Sequence, residues 1–449
     1  MESFDEQVLT QWLPELERAS ALLVGFSGGL DSTVLLHVLC RLIPADRIQA
    51  LHVHHGLSPR ADDWVAHCVR VCHALGVVLH VERVSVVADG KGLEEAARTQ
   101  RYLAFTRHLP AGGKLLLAHH RDDQVETILF RLLRGAGPRG LAGMPTRRRL
   151  GSGELLRPLL GIERTALEAW ARAQGLVWIE DESNIGTDFD RNFLRHRVLP
   201  LLASRWPGLD RRLLRSAALC RDGDQLLQEV GEEDLQRLGE KSERLGWSLA
   251  VQSLQKLSRV RRANLLRIWL THRGLPMPGH RQVAAVLDDL LPAREDAMPL
   301  VRFGGGEFRR FGERLFLLPC HLSAALDVQE LPWEPVAPLK LPDGFVLEAQ
   351  EGTGGVRLAR RGAWHVRFRC GGERCRPVGR RGSRPLKKLL QEYGLEPWLR
   401  DRIPLVYVDG ELAAVGDLFV CAGFEAGTDE KGIALTWRHA GADGSQAFF

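Results

Sequence analysis

The residues best suited to chemistry in this chain form a short turn, Ser27-Gly28-Gly29-Leu30-Asp31-Ser32. The apolar run Leu22–Phe26 precedes the turn, and a helical pattern of apolar residues follows it. A strand, a glycine turn and a helix start in this order aim free backbone N–H groups and the helix dipole at one point, which suits a phosphate. No Gly-Lys-Ser/Thr sequence follows, so the pattern differs from a Walker loop. The acid inside the turn, Asp31, indicates pyrophosphate chemistry with a metal nearby.

A second candidate group lies in the run Ala118–Thr127, which follows a short apolar strand. Asp122 or Asp123 could cap the helix that begins here, a structural role that needs only one acid. Asp123 and Glu126 are three residues apart and therefore share a helix face. Together with His119 they would form a negative pocket, which could coordinate Mg²⁺ on a nucleotide or hold an amine for attack.

Two further positions carry a weaker signal. His54, in His54-His55-Gly56, ends the second predicted strand. A ligand site at the carboxyl end of that strand and a buried core histidine are both consistent with this position. Arg98 and Arg101 are three residues apart in a helical segment and could reach one anion. A solvated charged face explains their spacing equally well.

The elements that must position these residues alternate regularly between residues 20 and 135. Strand-like runs after Leu22–Phe26 lie at 48–53, 77–84 and 114–118, and helical patterns lie at 62–75, 93–108 and 122–133. Strands separated by helices predict βαβ units, and hence an α/β fold built on a doubly wound, Rossmann-like parallel sheet. Ligands bind such sheets beyond the carboxyl ends of the strands. The candidate turns all follow predicted strands, so we expect them to form one site.

The rest of the chain is predicted to form further domains. Residues 1–206 would be the catalytic domain, 207–331 a helical middle domain, 332–344 a proline-rich linker, and 345–449 a small α+β domain. Within the first segment, residues 136–154 are rich in Gly, Pro and Arg and are expected to form a mobile loop.

Positive charge is concentrated in two places outside the sheet. Arg191 and Arg195 share one predicted helix face, with Arg197 beside them. Residues 357–402 carry 14 Lys and Arg against four acids, a net charge of +10, whereas the whole chain has a formal net charge of +5. Concentrated basic charge of this kind is typical of a nucleic-acid interface. A solvated charged face is the alternative, and a membrane surface is disfavoured because no amphipathic basic helix accompanies it.

The overall composition is that of a globular protein. The chain has 449 residues, of which 45% are hydrophobic and 26% charged. Its eight cysteines include no Cys-x-x-Cys pair, so we expect reduced thiols rather than a metal cluster. The N-terminal residues lack the pattern of a signal peptide, and no run of 18 apolar residues occurs. These features predict a cytoplasmic protein without a membrane segment.

The motifs resemble those of a known family. The turn at Ser27–Ser32 resembles the PP-loop of N-type ATP pyrophosphatases. A narrower set of motifs resembles the tRNA(Ile)-lysidine synthetases over roughly residues 20–206 and 365–420. The motifs that carry this resemblance are His54–Gly56, Ala118–Thr127, Arg131–Gly135, Arg157–Leu160, Trp178–Asn184 with Arg191, Asn192 and Arg195, Gly371–Arg374, Gly379–Ser383, Leu386–Leu389 and Pro397–Leu405.

This resemblance implies a reaction and a role for each group. ATP would adenylate C2 of the wobble cytidine in a CAU-anticodon tRNA(Ile), and free L-lysine would displace AMP to form lysidine, which changes codon specificity from AUG to AUA. Asp31, His119, Asp123 and Glu126 would be catalytic, and Asp31 would lie near Mg²⁺ bound to ATP. The implied ATP site consists of Ser27, Gly28, Gly29, Leu30, Asp31, Ser32 and His54. The implied lysine site consists of His119, Asp123, Glu126 and Arg98, and the implied tRNA site of Arg191, Arg195, Arg197, Arg374, Arg380, Arg381, Lys387, Lys388 and Arg400.

Three alternatives compete with this reading. Another PP-loop enzyme, a tRNA thiolase, would usually need a Cys-x-x-Cys pair or a catalytic cysteine near the site. An amidotransferase-type synthetase would carry a glutaminase and lack the basic tail. A non-catalytic RNA-binding module would not need Asp31, Asp123 and Glu126 together. A homodimer is a further expectation.

Overall fold

The computed structural model describes residues 4–87, 92–180, 190–294, 297–318, 330–357, 362–427 and 429–440. The chain divides into two units, Met1–Leu226 and Leu227–Phe449, which are described separately below. The motif residues Asp181–Asn184, and Arg360 and Arg361 of the basic stretch, lie outside the described residues.

The first unit is built around a six-stranded sheet. Its strands are β1 (Leu22–Gly25), β2 (Ile48–His54), β3 (Val78–Arg83), β4 (Lys114–Leu116), β5 (Arg147–Leu150) and β6 (Gly153–Leu156), in the order β3-β2-β1-β4-β6-β5. All neighbouring pairs are parallel except β5 with β6. Its helices are α1 (Leu13–Glu17), α2 (Leu30–Leu42), α3 (Ala61–Leu75), α4 (Leu93–His108), α5 (Arg121–Leu133), α6 (Pro138–Leu141), α7 (Arg164–Ala173), α8 (Asp190–Phe193), α9 (Leu199–Arg205) and the first part of α10 (Leu209–Leu238).

Apolar side chains cover both faces of this sheet. Along β1, Leu22 and Val24 pack into one core with α2, whereas Leu23 points to the other face and packs with Phe105 of α4. Successive strand residues point to opposite faces, so a strand buried on both sides needs a continuous apolar run. This explains the run at Leu22–Phe26. The predicted doubly wound α/β fold is confirmed.

The segment predicted to be a mobile loop contains regular structure instead. Residues 138–141 form α6, and β5 and β6 form an antiparallel hairpin at the sheet edge, with Arg147 opposite Leu156 and Leu150 opposite Gly153. The expectation of a loop was wrong because Gly137 and Gly140 belong to the start and body of α6, only Gly151 lies in the hairpin turn, and Arg147–Arg149 lie in a strand.

The second unit contains more strands than the sequence indicated. Residues 207–331 are not purely helical, since α11 (Val251–Gln255), α12 (Arg259–His272) and α13 (His280–Ala285) accompany a five-stranded antiparallel sheet. Its strands are β7 (Lys241–Ser242), β8 (Trp247–Ala250), β9 (Leu300–Phe303), β10 (Gly306–Phe311) and β11 (Arg314–Leu318), in the order β7-β8-β11-β10-β9.

The C-terminal part of this unit is rich in short strands. One sheet contains β12 (Leu331–Pro332), β16 (Trp364–Arg367), β19 (Leu405–Val408), β20 (Glu411–Val415) and β21 (Phe419–Val420). A second contains β13 (Leu339–Lys340), β14 (Phe345–Thr353), β15 (Val356–Arg357) and β22 (Lys431–His439), and β17 (Arg374–Cys375) pairs with β18 (Arg384–Pro385). The helix α14 (Leu386–Glu392) buries Leu386, Leu389 and Leu390 against this core.

The proline-rich segment 332–344 is not an extended linker. It contributes residues to β12 and β13, and it buries Trp333 and Leu341 in the C-terminal core. Buried aromatic and aliphatic side chains tie the segment down. The two units divide after Leu226, which is neither of the predicted boundaries. The domain boundaries predicted at 206 and 344 stay predictions.

Among the described residues, every helix is too short or too polar to cross a bilayer.

Candidate active site

The turn between β1 and α2, Ser27–Ser32, has the geometry of an anion cradle. Gly28 has a φ of +82°, and a Cβ atom there would lie 2.7 Å from Ile179 Cδ1 and 2.9 Å from Cys68 Sγ. Only glycine fits both the left-handed backbone and the confined space. Gly29 caps α2 without a side-chain hydrogen bond, so first-turn N–H groups are left for a ligand.

Two serines hold this turn closed. Ser27 Oγ and Ser32 Oγ are 3.1 Å apart, and the Ser32 hydroxyl also donates to the Gly29 carbonyl at 3.1 Å. The Ile179 N–H donates to the Gly28 carbonyl at 2.9 Å, which packs the 178–179 segment against the same turn. The loop is therefore held in place by its own hydroxyls and by a neighbouring backbone segment.

Asp31 lies in the first turn of α2, where its carboxylate is largely enclosed. Its Oδ1 atom is buried and has no hydrogen-bond partner among the described residues, although Arg164 Nε lies 4.0 Å from it, and Oδ2 lies 3.7 Å from His120 Nε2. Burial raises the pKa of Asp31, and the charge on Asp123 adds to this effect. A buried carboxylate oxygen without a partner is costly in a folded protein. Such an oxygen fits a hard cation such as Mg²⁺ as its missing partner.

His120 also belongs to the site, although it was not among the site residues predicted from the sequence. Its backbone N–H donates to Asp123 Oδ2 at 3.1 Å, and its ring caps the N-terminus of α5. The predicted cap was Asp122 or Asp123. Asp122 instead accepts a hydrogen bond from the Arg164 N–H at 3.0 Å and so joins α5 to α7. The sequence contained one signal for this role. His120 immediately precedes a helix whose third residue, Asp123, is an acid, as in a capping box.

The His120 ring joins the two candidate groups of the site. Its Nε2 atom lies 3.4 Å from Asp123 Oδ2 and 3.7 Å from Asp31 Oδ2, and its Nδ1 atom lies 3.4 Å from Asp122 Oδ2. Burial alone would lower the pKa of His120, but Asp122, Asp123 and Asp31 outweigh it and raise the pKa. The three carboxylates favour the protonated ring, whereas the cap of the Asp123 N–H at 3.4 Å uses the neutral ring with Nδ1 as acceptor.

The adjacent His119 has the opposite electrostatic environment. Burial lowers its pKa, and the positive charges of Arg157, Arg191 and Arg98 add to that effect despite nearby Asp123. Arg157 Nε donates to His119 Nδ1 at 3.2 Å, which is consistent with a neutral ring that accepts at this atom. Two adjacent histidines with opposed shifts are typical of a site in which each has a different task.

Asp123 and Glu126 share one helix face, as the sequence predicted, and two arginines bind them. Arg191 donates to Glu126 Oε2 at 3.0 Å and to Asp123 Oδ1 at 3.2 Å. Arg195 donates to Glu126 Oε1 at 2.5 Å and to Asp123 Oδ1 at 3.3 Å. Glu126 is 1% exposed, so its charge depends on these partners. The role predicted for Arg191 and Arg195, contact with tRNA, stays a prediction.

Other predicted residues of the first unit contact neither Asp123 nor Glu126 among the described residues. His54 Nε2 lies 3.2 Å from an Arg83 guanidinium nitrogen and 3.5 Å from Asp62 Oδ1. The Arg98 guanidinium stacks on the ring of Tyr102, with 5.1 Å between Cζ and the ring centroid. Arg197 is exposed. For these residues the predicted contacts with ATP, lysine and tRNA stay predictions.

The basic residues of the second unit differ in how much of their charge is compensated. Arg380 and Arg384 both pair with Glu392. Arg374 donates to the Ser383 carbonyl at 3.0 Å, and Arg400 donates to the Leu395 carbonyl at 2.9 Å. Arg381, Lys387 and Lys388 are exposed and have no acidic partner among the described residues. Phosphates of a bound tRNA could therefore reach these three cations.

No group of three or more His, Cys, Asp and Glu side chains in the described part of the chain is arranged to hold a metal ion alone. Asp31 would be one protein ligand of a cation that brings most of its ligands with it, such as Mg²⁺ bound to a nucleotide.

Comparisons with known proteins match three parts of the chain to family models. A PP-loop domain model matches residues 1–202, a TilS substrate binding domain model matches 249–316, and a TilS substrate C-terminal domain model matches 364–437. A solved structure of a tRNA thiolase from Methanococcus maripaludis is 14% identical, with a TM-score of 0.37, and covers 48% of this chain and 81% of that one.

Two curated relatives are similar over nearly the whole sequence. The tRNA(Ile)-lysidine synthase of Serratia proteamaculans is 43% identical over 440 residues, which is 97% of this chain and 99% of that protein. The tRNA(Ile)-lysidine synthase of an Enterobacter species is 44% identical over 422 residues, which is 93% of this chain and 96% of that protein. With such relatives aligned almost from end to end, and with the PP-loop geometry in place, the chain belongs to the tRNA(Ile)-lysidine synthase family.

Proposed function

We propose that this enzyme joins L-lysine to C2 of the wobble cytidine of a CAU-anticodon tRNA(Ile), with ATP converted to AMP and pyrophosphate. The observation that carries the proposal is the His120 ring, which lies within 3.7 Å of both Asp31 of the phosphate loop and Asp123 of α5. The proposed site for a nucleotide and the proposed site for an amine therefore adjoin each other. An enzyme that acts on tRNA would work in the cytoplasm, and a homodimer is a separate expectation.

In the first step, the cytidine O2 atom attacks the α-phosphorus of ATP and pyrophosphate leaves. The free N–H groups at the start of α2 and its helix dipole face the phosphates and stabilise their negative charge. Asp31 would hold Mg²⁺, which neutralises charge on the leaving pyrophosphate when bound. The hydroxyls of Ser27 and Ser32 keep the loop in one conformation, so the cradle requires little reorganisation.

In the second step, the ε-amine of lysine attacks C2, and AMP leaves with the O2 atom. The amine must be neutral to attack, although its reference pKa is about 10.4. A carboxylate that accepts its proton would promote the step. Asp123 and Glu126 are the acids available. Each carboxylate oxygen accepts up to two hydrogen bonds, so Glu126 Oε1, which accepts one from Arg195, retains capacity for the amine.

The environment of the nearest thiol argues against a thiolase. Cys68 lies directly under the phosphate loop and is fully buried. Burial and the neighbouring Cys72 raise the pKa of Cys68 to about 12, so its reactive thiolate form is suppressed. A sulfur-transfer reaction through Cys68 would need this thiol to be accessible and acidic.

A direct assay tests the proposed function. The protein is incubated with ATP, radiolabelled lysine and a CAU-anticodon tRNA(Ile) transcript, and a second reaction contains the same tRNA with its wobble cytidine replaced by uridine. We expect label in the first tRNA and none in the second, with one AMP formed per lysine incorporated. Absence of label from the first tRNA, with the protein folded, would reject lysine ligation.

The exposed lysines of α14 give a second prediction. Replacing Lys387 and Lys388 together with alanine should raise the KM for tRNA about tenfold and reduce the salt dependence of tRNA binding by about two phosphate contacts. The physical reason is that both cations are exposed and without an acidic partner, so phosphates can reach them. The matched control is Arg384→Ala, since Arg384 is already paired with Glu392. If Arg384→Ala weakened tRNA binding more than the double lysine replacement, the tRNA would not bind at Lys387 and Lys388.

A further inference from the structure

An excess of positive charge surrounds Tyr102 on α4. The Cζ atom of Arg98 lies 5.1 Å from the centroid of its ring, and the Cζ atom of Arg148 lies 4.7 Å from it. Burial would raise the pKa of Tyr102, but Arg98, Arg157 and Arg148 outweigh burial and lower it. Three guanidinium groups therefore act on one side chain.

Among the side chains that the structure describes, Arg98, Arg148 and Arg157 contact the Tyr102 ring, a backbone carbonyl and a histidine rather than a carboxylate. Arg157 donates instead to the Pro145 carbonyl at 2.8 Å and to His119. Neighbouring guanidinium groups repel one another, so an anion among them would be bound strongly.

The position of Arg148 follows from the hairpin at the sheet edge. In β5, Arg148 lies opposite Leu155, a residue of the core that packs with α4. Arg147 points to the other face, where it pairs with Glu15 at 2.9 Å and stacks on Trp12. Arg149 lies opposite Glu154 and helps to lower the pKa of that acid. Of the three consecutive arginines, Arg148 is the one directed at the Tyr102 ring.

This group of residues continues from the active site outward. Arg157 directly follows β6 and contacts His119 of the site, whereas Arg148 is exposed on the outermost strand. We propose that Arg148, supported by Arg98 and the Tyr102 ring, binds a backbone phosphodiester of the tRNA next to the nucleotide being modified. This inference rests on the proposed function, which brings tRNA to His119. Guanidinium forks match phosphodiester oxygens, and an exposed edge strand is accessible to a polymer.

The variant Arg148→Ala tests this site, with Arg149→Ala as the matched control on the same strand. Arg148→Ala should weaken tRNA binding and raise the KM for tRNA about tenfold, as expected for the loss of one charge-assisted contact. The slope of log K against log salt should fall by about 0.7 to 0.9. The KM for lysine and kcat at saturating tRNA should not change. Arg149→Ala should change tRNA binding less than about threefold, and Arg148→Lys should be intermediate because it loses the bidentate contact.

Three results would overturn the proposal. A raised KM for lysine with unchanged tRNA binding would show that the anion is the lysine carboxylate. Equal effects of Arg148→Ala and Arg149→Ala would indicate diffuse charge rather than a site. Unchanged tRNA binding in Arg148→Ala would remove the hairpin from the interface. The same data distinguish a failure of this proposal from a failure of the proposed function. The binding site of Arg148 is tested by tRNA binding without ATP or lysine, whereas an error in the proposed function would appear as no lysine transfer by the unaltered protein.

Discussion

Asp31→Asn should abolish the first chemical step and leave tRNA binding nearly unchanged. We expect the rate of tRNA-dependent pyrophosphate release to fall on the order of 10³-fold, since a metal ion at a phosphoryl centre supplies several kcal/mol of charge stabilisation. The reason is the proposed role of Asp31 as a metal ligand, since its Oδ1 atom in the first turn of α2 accepts no hydrogen bond among the described residues and has only Arg164 Nε, at 4.0 Å, as a charged neighbour. The measurement is pyrophosphate release in a single turnover with saturating ATP and tRNA.

The stability of this variant provides a check on the explanation. Burial raises the pKa of Asp31, so the charged carboxylate is disfavoured by its surroundings in the folded state. A neutral amide of the same shape should therefore leave the melting temperature unchanged or slightly higher. The matched control is Asp46→Asn, an exposed acid beyond the other end of α2, which should behave like the unaltered protein. Near-normal pyrophosphate release by Asp31→Asn would exclude Asp31 from the ATP site.

The sheet and its helices could be predicted because their physical signal is local. The run Leu22–Phe26 is apolar throughout since both faces of β1 are buried, and α4 lies at the predicted residues 93–108. The spacing of Asp123 and Glu126 likewise placed them on one face of α5. Such patterns depend on strand and helix geometry alone.

Parts of the site were missed because they depend on contacts between distant segments. Arg191 and Arg195 were predicted to share a face, but their partner Glu126 is 65 or more residues away in sequence. The role of His120 depends on where Asp31 lies, which no local spacing reveals. The sequence thus indicated which residues are chemically capable, whereas the pairing of charges required the fold.

Two errors in the fold share one cause, which is reliance on composition. Arginine and glycine between residues 147 and 153 suggested a loop, but β5 pairs with the edge of β6, and Arg147 and Arg148 stack on the rings of Trp12 and Tyr102. Prolines between 332 and 342 suggested a linker, but Trp333 is buried beside Trp364. In a proline-rich segment, an aromatic residue such as Trp333 is the stronger signal, and it indicates that the segment packs against a core rather than extends as a linker.

Glu126→Gln should block the second step while sparing the first. We expect pyrophosphate release to continue for one turnover and lysine transfer to fall about 10²- to 10⁴-fold, the usual contribution of a positioned general base. The reason is that an amide cannot accept the proton of the attacking amine. Adenylated tRNA should therefore accumulate, and its detection by mass spectrometry, with radiolabelled lysine followed in parallel, separates this variant from Asp31→Asn.

Glu126→Gln reports on proton transfer alone only if Arg191 and Arg195 stay in place when Glu126 loses its charge. Breaking a buried ion pair costs about 3–5 kcal/mol, but the side chains of Arg191 and Arg195 are 29% and 32% exposed, so water offsets part of that cost. They also keep Asp123 as a partner. The protein should therefore remain folded, which its melting temperature would verify, and Glu17→Gln, at an exposed acid that ends α1, is the control for loss of a carboxylate away from the site. If Glu126→Gln lost pyrophosphate release and lysine transfer equally, Glu126 would be a support for the whole site rather than the acceptor of the lysine proton. If lysine transfer continued at the normal rate, Asp123 would have to be the base.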